Sequence, residues 1–203
     1  MKAIIAIVAL GITASAADLC AEESFDKIKS QLAQSGCVRL EFLNTIESEI
    51  FDQVDSTFGS AWLSQDGRYL VEIGQDKYLY DRHHLYSYSY ENNQVTVETV
   101  DENGSGNSGV DFVTHLDDYY QSSVMIPDRK YHLVLKREID GDMPDSLDVF
   151  IDADKLTLER LEFFDINEEL NRLYISRQES SDACDSTLFV PSFPDSVDTV
   201  RIP

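Results

Sequence analysis

Four histidines, three cysteines and 38 acidic residues are the groups in this chain with chemistry to offer. Their spacing decides what they can do. His83 and His84 are adjacent. Neighbours on a strand point to opposite faces, so the pair is a poor chelate, and its position between two strand-like runs reads as a solvated turn. His115 and His132 each stand apart from any other histidine. No Gly-x-Ser-x-Gly elbow, His-Glu-x-x-His helix, phosphate-cradling loop or dinucleotide fingerprint is present. Two acidic clusters raise the question of Ca²⁺: Asp140-Gly141-Asp142 with Asp145 and Asp148, and Asp165-Ile166-Asn167-Glu168-Glu169. An EF-hand loop needs oxygens at alternate positions and Gly at the sixth. The first cluster has its Gly one step after the first Asp and Pro144 inside, and the second has Leu170 at the sixth position. Both read as solvated turns. These residues offer no convincing catalytic set or metal site, and no cofactor is expected.

Cys20, Cys37 and Cys184 allow at most one intrachain bridge. A helix filling most of the gap between Cys20 and Cys37 would hold its ends roughly 20 Å apart at about 1.5 Å per residue, too far for a direct bridge unless the chain folds back. Cys184 joined to either partner, or three free thiols, remain as alternatives. A zinc site needs denser ligands.

The formal charge is −22, yet hydrophobic residues make up 42% and there are 10 Tyr and 10 Phe, which argues for a folded domain. A field this negative repels phosphate backbones and anionic lipid surfaces, so nucleic acid is not an expected partner. Residues 1–17, MKAIIAIVALGITASAA, carry one Lys, an apolar run from Ala3 to Leu10 and a small-x-small Ala14-Ser15-Ala16. This is the pattern of a cleavable signal peptide. The run falls short of the about 20 residues a bilayer span requires. The mature chain, residues 18–203, is expected to be one exported, soluble domain. Removing Lys2 takes its charge from −22 to −23.

The elements that must position any site follow from periodicity. Ser24 as cap, with Phe25, Ile28 and Leu32 at spacings of 3 and 4, predicts a helix over 24–35, which Gly36 would end in the left-handed conformation. The period then becomes two: Val38, Leu40 and Phe42 alternate with Cys37, Arg39 and Glu41. Strands are predicted at Phe58–Ser64, Arg68–Ile73, Lys77–Tyr80, His84–Tyr90 and Gln94–Val100, with turns at Gln65-Asp66-Gly67, Gly74-Gln75-Asp76 and Glu91-Asn92-Asn93. Asp101–Gly109 (DENGSGNSG) reads as a loop, and Val113, Leu116 and Tyr120 as a second short helix capped by Ser108. Strands resume at Lys130–Arg137, Ser146–Ile151, Leu156–Phe164 and Leu170–Arg177, followed by a polar loop and an edge or irregular cover over Leu188–Ile202. Short connections make this an antiparallel meander. Two helices cannot cover both faces of so many strands, so one concave face with a helical cover is expected. Tyr69, Val71 and Ile73, then Tyr78 and Tyr80, then Tyr86, Tyr88 and Tyr90, form an aromatic-rich parity that reads as core or as the wall of a ligand cavity.

The ordered motifs resemble the LolA-type outer-membrane lipoprotein carrier proteins. The amphipathic helix is followed by Val38-x-x-x-Phe42. Gly59-Ser60-Ala61-Trp62-Leu63, a turn and Arg68-Tyr69-Leu70 are similar to the family's glycine strand and aromatic strand. Asp81-Arg82-His83-His84-Leu85-Tyr86-Ser87-Tyr88 with Asn93-Gln94-Val95 is similar to its D-G-x-x-L-W-x-Y … Q-V hairpin. Leu161-Glu162-Phe163-Phe164-Asp165 with Asn167 resembles its strand–turn before the closing strands, and Phe189-x-x-x-x-Pro194-x-x-Val197-Asp198 resembles its F-x-F-x-P-P-x-G-V-D-V ending. The resemblance spans nearly the whole mature chain. It departs where the family's Arg-Pro latch aligns with Gln65-Asp66, where the family's Gly is Arg82, and where its Trp is Tyr86.

The resemblance implies a mainly β fold, an unclosed antiparallel half-barrel whose concave apolar cavity is covered by short helices. It implies a monomeric periplasmic carrier that accepts acylated lipoproteins from an inner-membrane ABC transporter and passes them to an outer-membrane acceptor lipoprotein. The cavity set it implies is Val38, Leu40, Phe42, Trp62, Val71, Tyr78, Tyr80, Tyr86, Tyr88, Leu133, Leu135, Val149 and Phe163, with Tyr69 as a contact to the transporter. A periplasmic lipid-binding or lipoprotein-sensing protein on the same fold is the alternative, and a secreted enzyme with a scattered site is a third.

Overall fold

The structure is a computed structural model and describes residues 21–48, 52–100, 120–126, 130–136, 144, 146–152, 154–165 and 167–202. Residues 1–20, and with them the expected signal peptide and Cys20, lie outside the described residues, as do the expected 101–109 loop, His115, Asp140, Asp142, Asp145 and the Val113–Leu116 part of the expected second helix.

Alternating apolar residues set the chain into β1 (Cys37–Ser48), β2 (Gln53–Ser64), β3 (Tyr69–Ile73), β4 (Asp76–Tyr80), β5 (His84–Ser89), β6 (Gln94–Thr99), β7 (Tyr120–Ile126), β8 (Lys130–Lys136), β9 (Ser146–Asp152), β10 (Thr157–Phe164), β11 (Leu170–Ser181) and β12 (Asp198–Ile202). They form one sheet in the order β12-β6-β5-β4-β3-β2-β1-β11-β10-β9-β8-β7. Two meanders, β1–β6 and β7–β11, are sewn together by the long β1–β11 pair, and β12 returns to lie parallel to β6. Among the described strands β12 and β7 are the edges and do not pair, so the sheet is not closed into a barrel.

Helix α1 (Ala21–Gln34) packs against β7 and β8. It begins before Ser24, which therefore lies inside the helix and does not cap it. Phe25 and Ile28 enter the main core with Val38, Leu40, Leu147 and Val149. Gly36 does not take a left-handed φ. Its need for glycine is a close approach, because an added Cβ would overlap the Asp182 carbonyl. That crossing brings Cys37 and Cys184 to a Cα separation of 4.7 Å, and they form the disulfide. Tyr120, assigned to a helix by spacing, begins β7 instead.

The β3–β6 half of the sheet is apolar on both faces. Leu70, Leu79 and Tyr86 are paired across successive strands, and the first two pack with Phe189 from a short 3-10 turn at Ser186–Phe189. Phe193 and Val197 then cover Tyr88, Val95 and Val97. The tail is thus a cover for the outer face, anchored by the disulfide and by β12.

Candidate functional site

A cavity of about 350 Å³ opens on the concave face, at the end of the sheet where β1 meets β2 and β11. Ile46, Ile73, Tyr78, Phe163 and Leu173 supply its apolar wall. The strands put them there by parity. Continuing the Val38-Leu40-Phe42 face along β1 places Asn44 and then Ile46 inward. The pairings of Asn44 with Leu173, and of Val71 with Tyr78, carry the same face across neighbouring strands. Burial raises the Tyr78 hydroxyl above its ordinary value, and the Asp76 carboxylate beside it pushes the same way.

The remaining lining is polar: Asn44, Thr57, Asn171 and the carboxylates of Asp55, Asp76 and Asp165. Asp55 accepts from Gln53 Nε2 at 2.8 Å, and Asp76 accepts from the Tyr90 N–H at 2.8 Å. Asp165 closes its turn by accepting from the N–H groups of Asn167 and Glu169, and from Asn171 Nδ2 at 3.1 Å. The acidic cluster at Asp165 is therefore a capped turn, as its sequence implies, and one wall of the cavity besides. Asn44 is only 6% exposed, and its Oδ1 has no hydrogen-bond partner among the described residues. Ser48, four residues on and of the same parity, has a buried Oγ with no hydrogen-bond partner among the described residues. Leaving such a group unpaired costs about 1–3 kcal/mol.

Of the residues the sequence put forward, Tyr78 and Phe163 line this cavity. Val38, Leu40, Phe42, Val71 and Val149 are buried in the main core, in the same cluster as the helix residues Phe25 and Ile28, with Tyr80 packed against them. Leu133 and Leu135 occupy register positions opposite Val149 and Leu147, and only their backbone is described. Three placements are corrected. Trp62, Tyr86 and Tyr88 sit on the opposite face of the sheet from the cavity, against the tail. The reason is register: Tyr80 pairs with Leu85, so Leu85 carries the inward parity of β5 and the tyrosines turn outward. Tyr69 is also displaced from expectation. It is 3% exposed, with its ring 5.4 Å from that of Tyr80, so it is a core residue and not a surface contact. Asn44, Asn171, Asp55 and Asp76 were missed, although a polar residue at an inward position between Phe42 and Ile46 was a readable signal.

At Gln65-Asp66 the chain turns from β2 into β3. The nearby Arg68 bonds Asp66 through Nε at 2.9 Å and lies 4.7 Å over the Phe189 ring, tying the β2–β3 turn to the outer cover. That ion-assisted bond holds the Asp66 carboxyl below its ordinary value. In the β4–β5 connection burial raises Asp81, but the N–H groups of His83 and His84 and the Tyr86 hydroxyl outweigh it and leave the group lowered. Among the described residues no cluster of His, Cys, Asp or Glu is able to hold a metal ion.

The fold has known counterparts. The structure is similar to that of an uncharacterized conserved protein from Thermus thermophilus, with a TM-score of 0.55 and 13% identity, covering 91% of this chain and 100% of that one. It is also similar to a putative outer membrane lipoprotein-sorting protein domain from Vibrio parahaemolyticus (TM-score 0.48, 10% identity, 82% of this chain and 94% of that one). A LolA superfamily protein from Nitrosomonas europaea aligns with a TM-score of 0.46 at 9% identity, over 82% of this chain and 97% of that one. At these identities the likeness is one of fold. Neither a protein-family profile nor a curated protein matches the sequence.

Proposed function

We propose that this protein is a periplasmic carrier that shelters the acyl chains of lipoproteins in the concave cavity and moves them between the inner and outer membranes. The observation that carries the reading is the cavity itself, an apolar wall of Ile46, Ile73, Tyr78, Phe163 and Leu173 held open on one face of an unclosed sheet. An acyl chain gains about 0.8 kcal/mol for each CH₂ it removes from water, so transit through an aqueous compartment requires such a shelter. The sequence motifs support the same reading. Its partners would be acylated lipoproteins, an inner-membrane releasing transporter and an outer-membrane acceptor lipoprotein, and residues 1–17 would direct export. No bond is made or broken in this role.

The cavity volume favours keeping one alternative in view. At about 350 Å³ it lies at the low end of the range of small-ligand pockets, roughly 300–1,000 Å³. A lipid-binding or lipoprotein-sensing protein that holds a single chain would use the same wall. The test is displacement: the purified mature protein should enhance the fluorescence of a lipophilic probe, and a diacylated peptide should compete it off. Transfer of that peptide to an acceptor separates carrier from sensor. Absence of both probe and peptide binding would contradict either reading.

A further inference from the structure

We infer that the open edge of β2 at residues 53–58 pairs, strand to strand, with an extended segment of the acylated protein whose chain lies in the cavity, an inference that rests on the chain-binding reading above. β2 is longer than its neighbour. It pairs with β1 along its whole length, from Ser64 to Gln53, but with β3 only from Leu63 to Gly59. The ladder on the β3 side ends where the Phe58 carbonyl accepts from the Gly74 N–H at 2.9 Å. Backbone groups alternate from one side of a strand to the other. The Ser64 N–H donates to the Arg68 carbonyl across the β2–β3 turn, and the Gln65 N–H donates to the Gly36 carbonyl beside β1. By that alternation the N–H and C=O groups of Val54 and Ser56 face the side that β3 has left, and no described strand meets them there. Residues 53–58 are exposed at every position.

The side chains along this edge join it to the cavity. Asp55 and Thr57 pair with Ile46 and Asn44, and all four line the cavity. Val54 and Phe58, of the other parity, are 62% and 79% exposed on the outer face. A strand added here sends alternate side chains toward the cavity and toward this apolar pair. An acylated side chain opposite Asp55 or Thr57 therefore meets the Ile46, Ile73 and Tyr78 wall, while the residues on either side of it cover Val54 and Phe58. The edge carries no Lys, Pro or bulge, which are common guards against strand addition. Its one charge, Asp55, bears on the occupant. A second copy of this chain would bring another Asp55 and a formal charge of −22 to the same edge, like against like. A cargo segment of small and apolar residues meets no such repulsion, and its acyl chain already ties it to the cavity.

The test uses the full mature protein and the peptide Ser-Val-Cys-Val-Ser with a dodecyl chain on its cysteine sulfur, competing below its micellar concentration for a fluorescent lipophilic probe. The comparison is the same peptide N-methylated at every amide, which keeps the chain and cannot donate along a ladder. The unmethylated peptide should bind about tenfold more tightly, the ratio that one net hydrogen bond supplies. Ser56→Pro removes the edge-facing N–H and leaves the β1 ladder alone, so it should make the two peptides bind alike. If that variant does not fold, as thermal unfolding would reveal, hydrogen exchange on the unaltered protein decides the matter. The Val54 and Ser56 amides should exchange more slowly with the unmethylated peptide bound, and not with the methylated one. Equal binding of the two peptides, a difference that survives in folded Ser56→Pro, or no added protection at Val54 and Ser56 overturns the edge pairing and leaves the chain-binding reading standing. Protection of these amides without peptide, in a protein that light scattering shows to be dimeric, gives the edge to a second copy and overturns the inference too. Displacement of the probe by neither peptide, nor by dodecanoate, overturns both.

Discussion

Arg82 places an exposed side chain on a backbone conformation that favours glycine, and replacing it makes a quantitative prediction. It follows β4 in the tight connection to β5 and has a φ of 85°, in the region that favours glycine. An L side chain there costs about 1–2 kcal/mol from the approach of Cβ to the backbone. Glycine removes that cost but gives back about 0.4–1 kcal/mol through the greater freedom of the unfolded chain. The Arg82 side chain is exposed, and the bonds that shape the turn do not need it. Tyr80 Oη donates to the Arg82 carbonyl, and Asp81 Oδ1 accepts from the His83 and His84 N–H groups at 2.9 and 2.8 Å. Arg82→Gly should therefore stabilise the protein by about 0.5–1 kcal/mol, which for a domain of this size raises Tm by roughly 1–4 °C. Arg82→Ala is the control, because alanine keeps the Cβ and should gain nothing. Thermal unfolding of the three proteins, followed by circular dichroism at one pH, decides it. If Arg82→Gly melts no higher than Arg82→Ala, the strain assigned to this turn is absent.

Removing the bridge with Cys37→Ala/Cys184→Ala opens a loop spanning 147 residues, worth about 5 kcal/mol in the chain-entropy limit and about 2–5 kcal/mol for native bridges. The urea midpoint should fall accordingly while the lipophilic probe still binds, because the tether lies on the outer face; equal midpoints would show that it constrains nothing. Gly36→Ala should destabilise by about 1–3 kcal/mol, since the Asp182 backbone stands where its Cβ would go, and a melting curve unchanged from the unaltered protein would rule out the close crossing. Asp66, Asp81, Asp152 and Asp185 all lie below the ordinary carboxylate value of 3.8 in the folded chain. Their contribution is complete above that value and is lost as pH falls through the lower native values, so urea midpoints should decline below about pH 4. A midpoint that rises in that window would reverse the sign.

Much of the fold was legible because local chemistry and global arrangement agree. The turns at Gly67 and Gly74, both with positive φ, separate strands whose apolar parity is plain, and β3–β6 and β8–β11 fall within a few residues of their predicted bounds. Elements with no buried face were not. The first half of β2, Gln53–Phe58, is exposed at every position, and β12 is exposed throughout, so neither carries a periodic signal. The site suffered from a different ambiguity. In β3–β6 both parities are apolar, because the tail covers the outer face, and the larger aromatics at Tyr86 and Tyr88 pointed to the wrong side. The pairing of Tyr80 with Leu85 across a short connection is what decides it. The polar end of the cavity was hidden because its acids come from strand ends and turns far apart in sequence, and each alone reads as a solvated residue.

The central claim is that an acyl chain lies on the concave face. Photolabelling with a fatty chain that carries a terminal diazirine, read by peptide mass spectrometry, tests it most directly. Labels should fall on the peptides holding Ile46, Ile73, Tyr78, Phe163 and Leu173, and excess diacylated peptide should suppress them. Labels confined to the outer face around Phe58 and Trp62, or to the 182–202 tail, would contradict it.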